Sequence, residues 1–103
     1  MFKNNNVLST VYLVNELDSK LIKTIIDGEL FTKIMESYVA NDYELLGYWT
    51  KELASIVSTS TLEELKKVVN NLVQKLENNE YVIDTELANL REIINILKIS
   101  QES

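Results

Sequence analysis

Apolar residues recur along the chain at steps of three, four and seven, and this spacing predicts helices almost throughout. The first stripe is formed by Val7, Val11, Val14, Leu21 and Ile25. Asp18 and Ser19 interrupt it, and both residue types are good N-caps. The pattern therefore allows either one helix of about 20 residues or two short ones.

Two turn signals separate the next helices. Asp27-Gly28 predicts a stop and a restart, with Asp27 capping the following helix. That helix carries a second apolar stripe and ends at Asn41-Asp42, where Asn tolerates the left-handed conformation and Asp is a good N-cap. The third helix is expected to face inward through Leu45, Leu46, Trp49, Leu53, Ile56 and Val57. Gly47 inside it costs about 1 kcal/mol relative to Ala, which suggests that another helix passes close by.

The last two helices have the clearest boundaries. Ser60-x-x-Glu63 predicts a capping box at the start of the fourth helix, and Glu63 is expected to pair with Lys67. The fifth helix is predicted to begin near Asp84 or Thr85, after a connector, Tyr81-Val82-Ile83, that folds back onto the core. A connector this short makes the two helices antiparallel neighbours.

These elements predict an all-α fold: one domain, residues 1–103, built as a compact antiparallel helical bundle of four to five helices. Composition agrees with this, because the chain has no proline and only two glycines, the two strongest breakers of helices. Its 46% of hydrophobic and 25% of charged residues are typical of a globular domain rather than of a disordered chain.

Composition also limits the catalytic and metal-binding groups that the chain can supply. The chain contains no histidine and no cysteine, which supply most general bases, soft nucleophiles and transition-metal ligands. It has no glycine-rich phosphate loop, and the acidic pairs Asp42/Glu44 and Glu63/Glu64 lack the spacing of a calcium-binding loop. We therefore expect no catalytic residues, no metal and no cofactor, and hence a protein that is not an enzyme.

The net charge of −6 works against binding to phosphate backbones and to anionic membranes. Nucleic acid is thus an unlikely partner, and no membrane contact is expected. No signal peptide or membrane-spanning stretch is recognisable, which predicts a cytoplasmic location. Two acidic stretches, residues 27–44 and 77–92, could steer a basic protein partner or could be ordinary solvated helix ends.

Two surfaces are candidates for contacts. The first is a partner-binding region in which aromatic and acidic side chains alternate; its residues are Tyr38, Asp42, Tyr43, Glu44 and Tyr48. Tyrosine and tryptophan are enriched at interface hot spots, although packing in the core is the alternative explanation. Helical geometry predicts that Tyr38 and Trp49 point inward and that Tyr43 and Tyr48 lie nearer the rim.

The second surface is a polar face on the fourth helix, formed by Lys66, Lys67, Asn70, Asn71 and Lys75. Lysine and asparagine side chains of this kind can contact phosphates and bases, but a solvated polar helix face is the more common explanation. The net negative charge of the chain opposes the first possibility.

These observations lead to the hypothesis of a small, acidic, non-enzymatic protein-binding module that occludes a partner's surface, in an immunity, antitoxin-like or inhibitor role. The alternative is a structural subunit of a homo-oligomer or larger assembly, associated with a nucleoprotein through the face from Lys66 to Lys75. In size and layout the chain is similar to bacteriocin immunity proteins, to small helical subunits of CRISPR effector complexes and to small phage inhibitors. The abundance of Asn, Ile and Lys, which have A/T-rich codons, indicates an AT-rich microbial, viral or plasmid source, such as a phage or mobile element.

Overall fold

The computed structural model describes residues 15–102, which form five α-helices. They are α1 (Glu16–Asp27), α2 (Leu30–Val39), α3 (Tyr43–Val57), α4 (Glu63–Glu77) and α5 (Asp84–Glu102). The expectation of an all-helical bundle is confirmed. Val7, Val11 and Val14 of the first predicted stripe lie outside the described residues. The extent of the single domain over residues 1–103 stays a prediction.

Each helix packs against the next, and α1 also contacts α3 and α5. α2 and α5 run antiparallel past each other, since Phe31 meets Arg91 and Tyr38 meets Asp84. The core is aliphatic, and its most deeply buried members, all less than 2% exposed, are Ile34, Leu46, Leu53, Val69, Leu72, Ile83, Leu90 and Leu97. Burial of each such side chain stabilises the fold by about 1.5–3 kcal/mol relative to exposure.

α3 differs from the sequence prediction at two positions, Leu45 and Gly47. Leu46, Leu53 and Val57 are buried as expected, but Leu45 is 42% exposed. A step of 100° per residue carries Leu45 off the stripe that Leu46 and Leu53 share. The expected close approach of another helix to Gly47 is also wrong, because a Cβ added there meets nothing within 4 Å.

α1 begins before Asp18 and runs through it without a break. Its N-cap is Asn15, whose side-chain oxygen accepts a hydrogen bond from the Asp18 backbone N–H at 2.7 Å. Asp18 is fully buried, and its carboxylate accepts hydrogen bonds from the backbone N–H and the hydroxyl of Thr61. Asp18 therefore ties the start of α1 to the connection between α3 and α4.

The predicted capping box at the start of α4 is wrong. The helix begins at Glu63 with Leu62 as N-cap, and Ser60 Oγ accepts from the Leu62 N–H at 2.9 Å. The Thr61 backbone N–H, which precedes the helix, donates to Asp18, a residue distant in sequence. Glu63 lies 4.0 Å from Lys66, one position earlier than the predicted partner.

The other helix ends follow the sequence signals more closely. Asn41 has a left-handed backbone with φ of 57°, and Asp42 caps α3 by accepting from the Leu45 N–H at 3.1 Å. α5 begins at Asp84 as predicted. In the connector before it Ile83 is buried, but Val82 is 80% exposed, so the expected return to the core holds for only part of the segment.

Replacing Asp18 by Asn should lower the free energy of unfolding near neutral pH by about 2 kcal/mol, because hydrogen bonds to a charged acceptor are lost in a buried place. Burial by itself raises the pKa of the Asp18 carboxyl, but hydrogen bonds from Thr61 and Ser60 and the charge of Lys66 outweigh it and lower the pKa below the ordinary value. The ionised Asp18 carboxylate therefore stabilises the fold fully at pH values above the pKa of aspartate in the unfolded chain. This stabilisation is lost as the pH falls through the lower pKa that Asp18 has in the folded protein.

Urea unfolding of both proteins from about pH 6 to about pH 3 measures this effect. The difference between wild type and D18N should shrink at the acidic end. A difference independent of pH would contradict the role given to the Asp18 charge.

Gly47→Ala should raise the free energy of unfolding by about 1 kcal/mol and Tm by about 4–8 °C, because the space beside Gly47 is open and Ala is the better helix former. Gly28→Ala is the matched control. A Cβ there would lie 3.1 Å from the Thr24 carbonyl oxygen, so no gain is expected. Thermal melts of the two variants check the pair, and equal shifts would contradict it.

Candidate functional site

A groove of about 330 Å³ lies between α1, α2 and α5, within the volume range of small-molecule sites. We call it the α1–α2–α5 groove. Its lining residues are Ile25, Ile26, Glu29, Phe31, Thr32, Arg91, Ile94, Asn95 and Lys98. A second cleft of about 190 Å³ shares Ile26 and Lys98 with it and adds Lys23, Asp27 and Gln101, so the two clefts form one elongated depression.

The floor of the groove is apolar and one wall is aromatic. Ile25 and Ile94 are buried core residues that contribute the floor. Phe31 is half-buried, and the Arg91 guanidinium carbon lies 5.8 Å from the centre of its ring, at the outer range of a cation–π contact. The groove thus offers a flat apolar surface with a cation beside it.

The α5 side of the groove is polar. Arg91, Asn95 and Lys98 are spaced by four and three residues, which places them along one face of the helix. All three are exposed and line the groove. Within residues 15–102 neither Arg91 nor Lys98 forms an ion pair.

Glu29, which also lines the groove, has an unusual backbone conformation. Its φ of 52° and ψ of 39° are left-handed, whereas the other described non-glycine residues with positive φ are Asn41 and Asn79. Asparagine adopts this conformation readily, but for a residue such as Glu it costs about 1–2 kcal/mol. The chain therefore holds a carboxylate at the groove in a backbone state that glutamate disfavours.

The turn that contains Glu29 also corrects the predicted cap of α2. The N-cap is Glu29 rather than Asp27, and no side chain caps the helix. Backbone bonds fix the turn, from Gly28 N–H to the Thr24 carbonyl at 3.0 Å and from Glu29 N–H to the Ile26 carbonyl at 3.0 Å. The Glu29 carboxylate is thus left available to the groove.

The predicted partner-binding region contains a second cluster, at the end of the bundle where α2 meets α5. The Tyr38 hydroxyl donates to Asp84 Oδ1 at 2.7 Å. This hydrogen bond, together with burial and the Asp84 charge, raises the pKa of the Tyr38 phenol. Tyr43 stacks on Tyr81 with ring centres 4.0 Å apart and an angle of 9°.

The structure does not gather all the predicted partner-binding residues in one place. Asp42 is engaged in capping α3, and Glu44 is exposed in the first turn of that helix. Tyr48 is 54% exposed and meets Trp49 edge-on at 4.8 Å, whereas Tyr43 is 37% exposed. The expected division between half-buried Tyr38 and Trp49 and the more exposed Tyr43 and Tyr48 is confirmed, but no observation tests whether these residues bind a partner.

The residues of the predicted polar face on α4 also differ in their surroundings: some pair with carboxylates and others are exposed. Lys75 Nζ lies 2.9 Å from Glu86 Oε2 and joins α4 to α5, and this hydrogen bond lowers the pKa of the Glu86 carboxyl. Lys66 is half-buried beside Glu63. The exposed members of the predicted face are Lys67, Asn70 and Asn71. Lys75 therefore has a structural role that the sequence pattern did not reveal.

A third cleft, of about 310 Å³, lies between α2 and α3, but its polar groups are largely committed. Lys33 lies 4.7 Å from the centre of the Trp49 ring, and Asp42 is the cap of α3. In the part of the chain that the structure describes, no three acidic side chains come together as a metal site would require. None of the described helices has the length and apolar character needed to cross a membrane.

Sequence reasoning missed the polar residues of the α1–α2–α5 groove. The spacing of Arg91, Asn95 and Lys98 was a usable signal, because it marks one polar face on a helix. Glu29 gave no such signal, since the adjacent Gly28 is the residue expected to take up a left-handed turn. The structure gives Gly28 a right-handed conformation, with φ of −79°.

Residues 20–103 match the family model described as TENA/THI-4/PQQC family, whereas no curated protein and no solved structure matches the chain. The matched range includes every residue that lines the groove. Proteins of this family are typically enzymes, among them aminopyrimidine aminohydrolases and thiaminase-like proteins.

The match overturns four expectations from the sequence. The hypothesis of a non-enzymatic module in an immunity, antitoxin-like or inhibitor role is wrong, and so is the alternative of a structural subunit. The expected phage or mobile-element setting is wrong as well. The expectation that the chain is not an enzyme is also wrong, because members of this family are typically enzymes. Carboxylates, which this chain has in abundance, also perform general acid–base catalysis. The family match covers most of the chain, and the protein belongs to the TENA/THI-4/PQQC family.

Proposed function

We propose that this protein is an enzyme that hydrolyses an aminopyrimidine-type compound and that the α1–α2–α5 groove binds the substrate. The observation that carries the proposal is the family match over residues 20–103, because the family includes aminopyrimidine aminohydrolases. The groove is the described cleft whose volume, apolar floor and uncommitted polar groups best suit such a substrate.

The shape of the groove supports a flat heteroaromatic ligand. A pyrimidine ring can lie against the face of Phe31 over the floor of Ile25 and Ile94, where aromatic contact and apolar burial both favour it. Asn95 and Thr32 supply an amide and a hydroxyl at the polar edge. These groups can donate to and accept from ring nitrogens and an exocyclic amino group.

Glu29 is the proposed general base. In hydrolysis of the exocyclic amino group the oxygen of water forms a bond to the ring carbon, and the carbon–nitrogen bond breaks to release ammonia. A carboxylate at the groove can accept the proton of the attacking water and return it to the departing nitrogen. Glu29 is the acid lining the groove, and its carboxylate is not used to cap α2.

The backbone of Glu29 supports the same role independently. Strained conformations persist where the surrounding structure enforces them, and they cluster at functional sites. A left-handed residue after α1 would ordinarily be Gly or Asn, yet here Gly28 precedes it and Glu occupies the position. A requirement for a carboxylate at this point accounts for that arrangement.

The partner-binding region around Tyr38 and Tyr43 and the exposed part of the α4 polar face stay predictions, as does self-association. We also propose a cytoplasmic location.

Glu29→Gln should abolish release of ammonia from a 4-aminopyrimidine substrate, with at least a hundredfold loss, because the amide cannot accept the proton. A coupled assay for ammonia measures the rate. The matched control is Glu52→Gln, which removes one exposed acid from α3, outside the groove. Equal rates in E29Q and wild type would contradict the proposed role of Glu29.

Glu29→Asn should separate function from stability. Asparagine tolerates the left-handed backbone, so Tm should stay level or rise by several degrees, with a gain of up to about 1 kcal/mol. Activity should nevertheless be lost, because the carboxylate is gone. A variant that is both less stable and inactive would indicate that Glu29 serves the fold rather than the reaction.

A further inference from the structure

The elongated depression formed by the two joined clefts carries a concentration of positive charge. Lys98 lies where the clefts join, Arg91 lines the first and Lys23 lines the second. Against these three cations stand the acids Asp27 and Glu29. The chain as a whole has 16 acidic and 10 basic residues, so this locally positive surface runs against the overall balance.

We infer that the ligand of the α1–α2–α5 groove carries a phosphate monoester, held at Lys98 between Arg91 and Lys23. The inference rests on the proposed function, since it names the class of aminopyrimidine that the groove takes. Two features support it: the placement of the cations relative to the aromatic wall, and the length of the depression.

The cations come from two helices that face each other across the depression. Arg91 and Lys98 lie two turns apart on α5, about 10 Å along the axis, and Lys23 projects from α1. Gln101 on α5 donates to the Ser19 carbonyl at 3.2 Å and to its hydroxyl at 2.9 Å, which holds α1 and α5 together beside the second cleft. The groups that would surround a phosphate are thus carried on helices that are tied to each other.

The chemistry of these side chains fits a phosphate. Lysine binds it as a compact point charge and arginine can bind it with two parallel hydrogen bonds. Lys23, Arg91 and Lys98 are all exposed, and none of them forms an ion pair within the described range 15–102. Lys23 and Lys98 can therefore turn to an anionic ligand without breaking an ion pair, and Arg91 can do so by giving up its contact with the Phe31 ring.

The length of the depression separates the two ends of such a ligand. A ring against Phe31 occupies the first cleft, which also contains Glu29. A substituent directed along α5 reaches Lys98 and then the second cleft, which adds about 190 Å³. The phosphate is thereby separated from Glu29, and in the second cleft Lys23 and Lys98 offset the single carboxylate of Asp27.

Calorimetric titration with two matched probes tests the inference. One is 4-amino-5-hydroxymethylpyrimidine, and the other is its phosphate monoester. The ester should bind at least about tenfold more tightly at low salt, and this advantage should shrink as salt is added. Equal affinities for the two probes would overturn the phosphate inference while leaving the proposed function in place.

Lys98→Gln should remove the advantage of the ester and leave the affinity for the alcohol unchanged. Lys67→Gln is the matched control, because Lys67 is an exposed lysine on α4 outside both clefts. An ester advantage that survives in K98Q would place the anion elsewhere and contradict the inference. Circular dichroism melts of both variants establish that each is folded.

Inorganic phosphate alone is the third probe, and it separates failure of the inference from failure of the proposed function. Phosphate binding that depends on Lys98, without binding of either pyrimidine, would support the anion site and overturn the aminopyrimidine function. Binding of neither pyrimidine nor phosphate would overturn both.

Discussion

The left-handed backbone of Glu29 is the constraint on which the functional account depends. It ends α1, turns the chain and starts α2 within two residues, so it sets how those helices diverge. Because α5 packs against α1 and passes α2, the space between the three helices becomes the groove. The same residue places its carboxylate at the edge of that space. One costly backbone conformation thus determines both the shape of the groove and its acid.

A second feature of the architecture is that distant side chains fix the helix ends. Asp18 in α1 satisfies the backbone N–H and hydroxyl of Thr61, and Glu86 in α5 pairs with Lys75 in α4. One oxygen of Glu86, Oε1, is buried without a hydrogen-bond partner. These contacts join α1 and α5, which line the groove, to α4 and to the connection between α3 and α4, which do not line it. The groove is therefore supported by polar links as well as by the aliphatic core.

Much of the fold could be predicted from the sequence because apolar spacing and turn residues act locally. The stripe on α5, the start of that helix at Asp84 and the left-handed Asn41 all follow from such signals. The failures share one cause. Asp18, Ser60 and Glu29 were given local capping or surface roles, or none, and their roles are decided by residues far away in sequence or by the packing of three helices.

The candidate site was less accessible to sequence reasoning than the fold. Its floor residues, such as Ile25 and Ile94, are indistinguishable from other core positions along the chain. Arg91 lies within the acidic stretch of residues 77–92, so its neighbours in sequence give no sign of a positive surface. In the folded chain it lines the same groove as Lys98 and as Glu29, which belongs to the other acidic stretch. The absence of histidine and cysteine predicts that the chain has no catalytic residue. That prediction does not take account of general acid–base catalysis by carboxylates.

The most direct test of the account is an NMR titration of the ¹⁵N-labelled protein with 4-aminopyrimidine, with the backbone amide shifts assigned. If the α1–α2–α5 groove is the binding site, the largest changes should occur at Glu29, Phe31, Arg91 and Asn95. Changes confined to the distant cluster of Tyr38, Tyr43 and Tyr81, or no changes at saturating ligand, would contradict it.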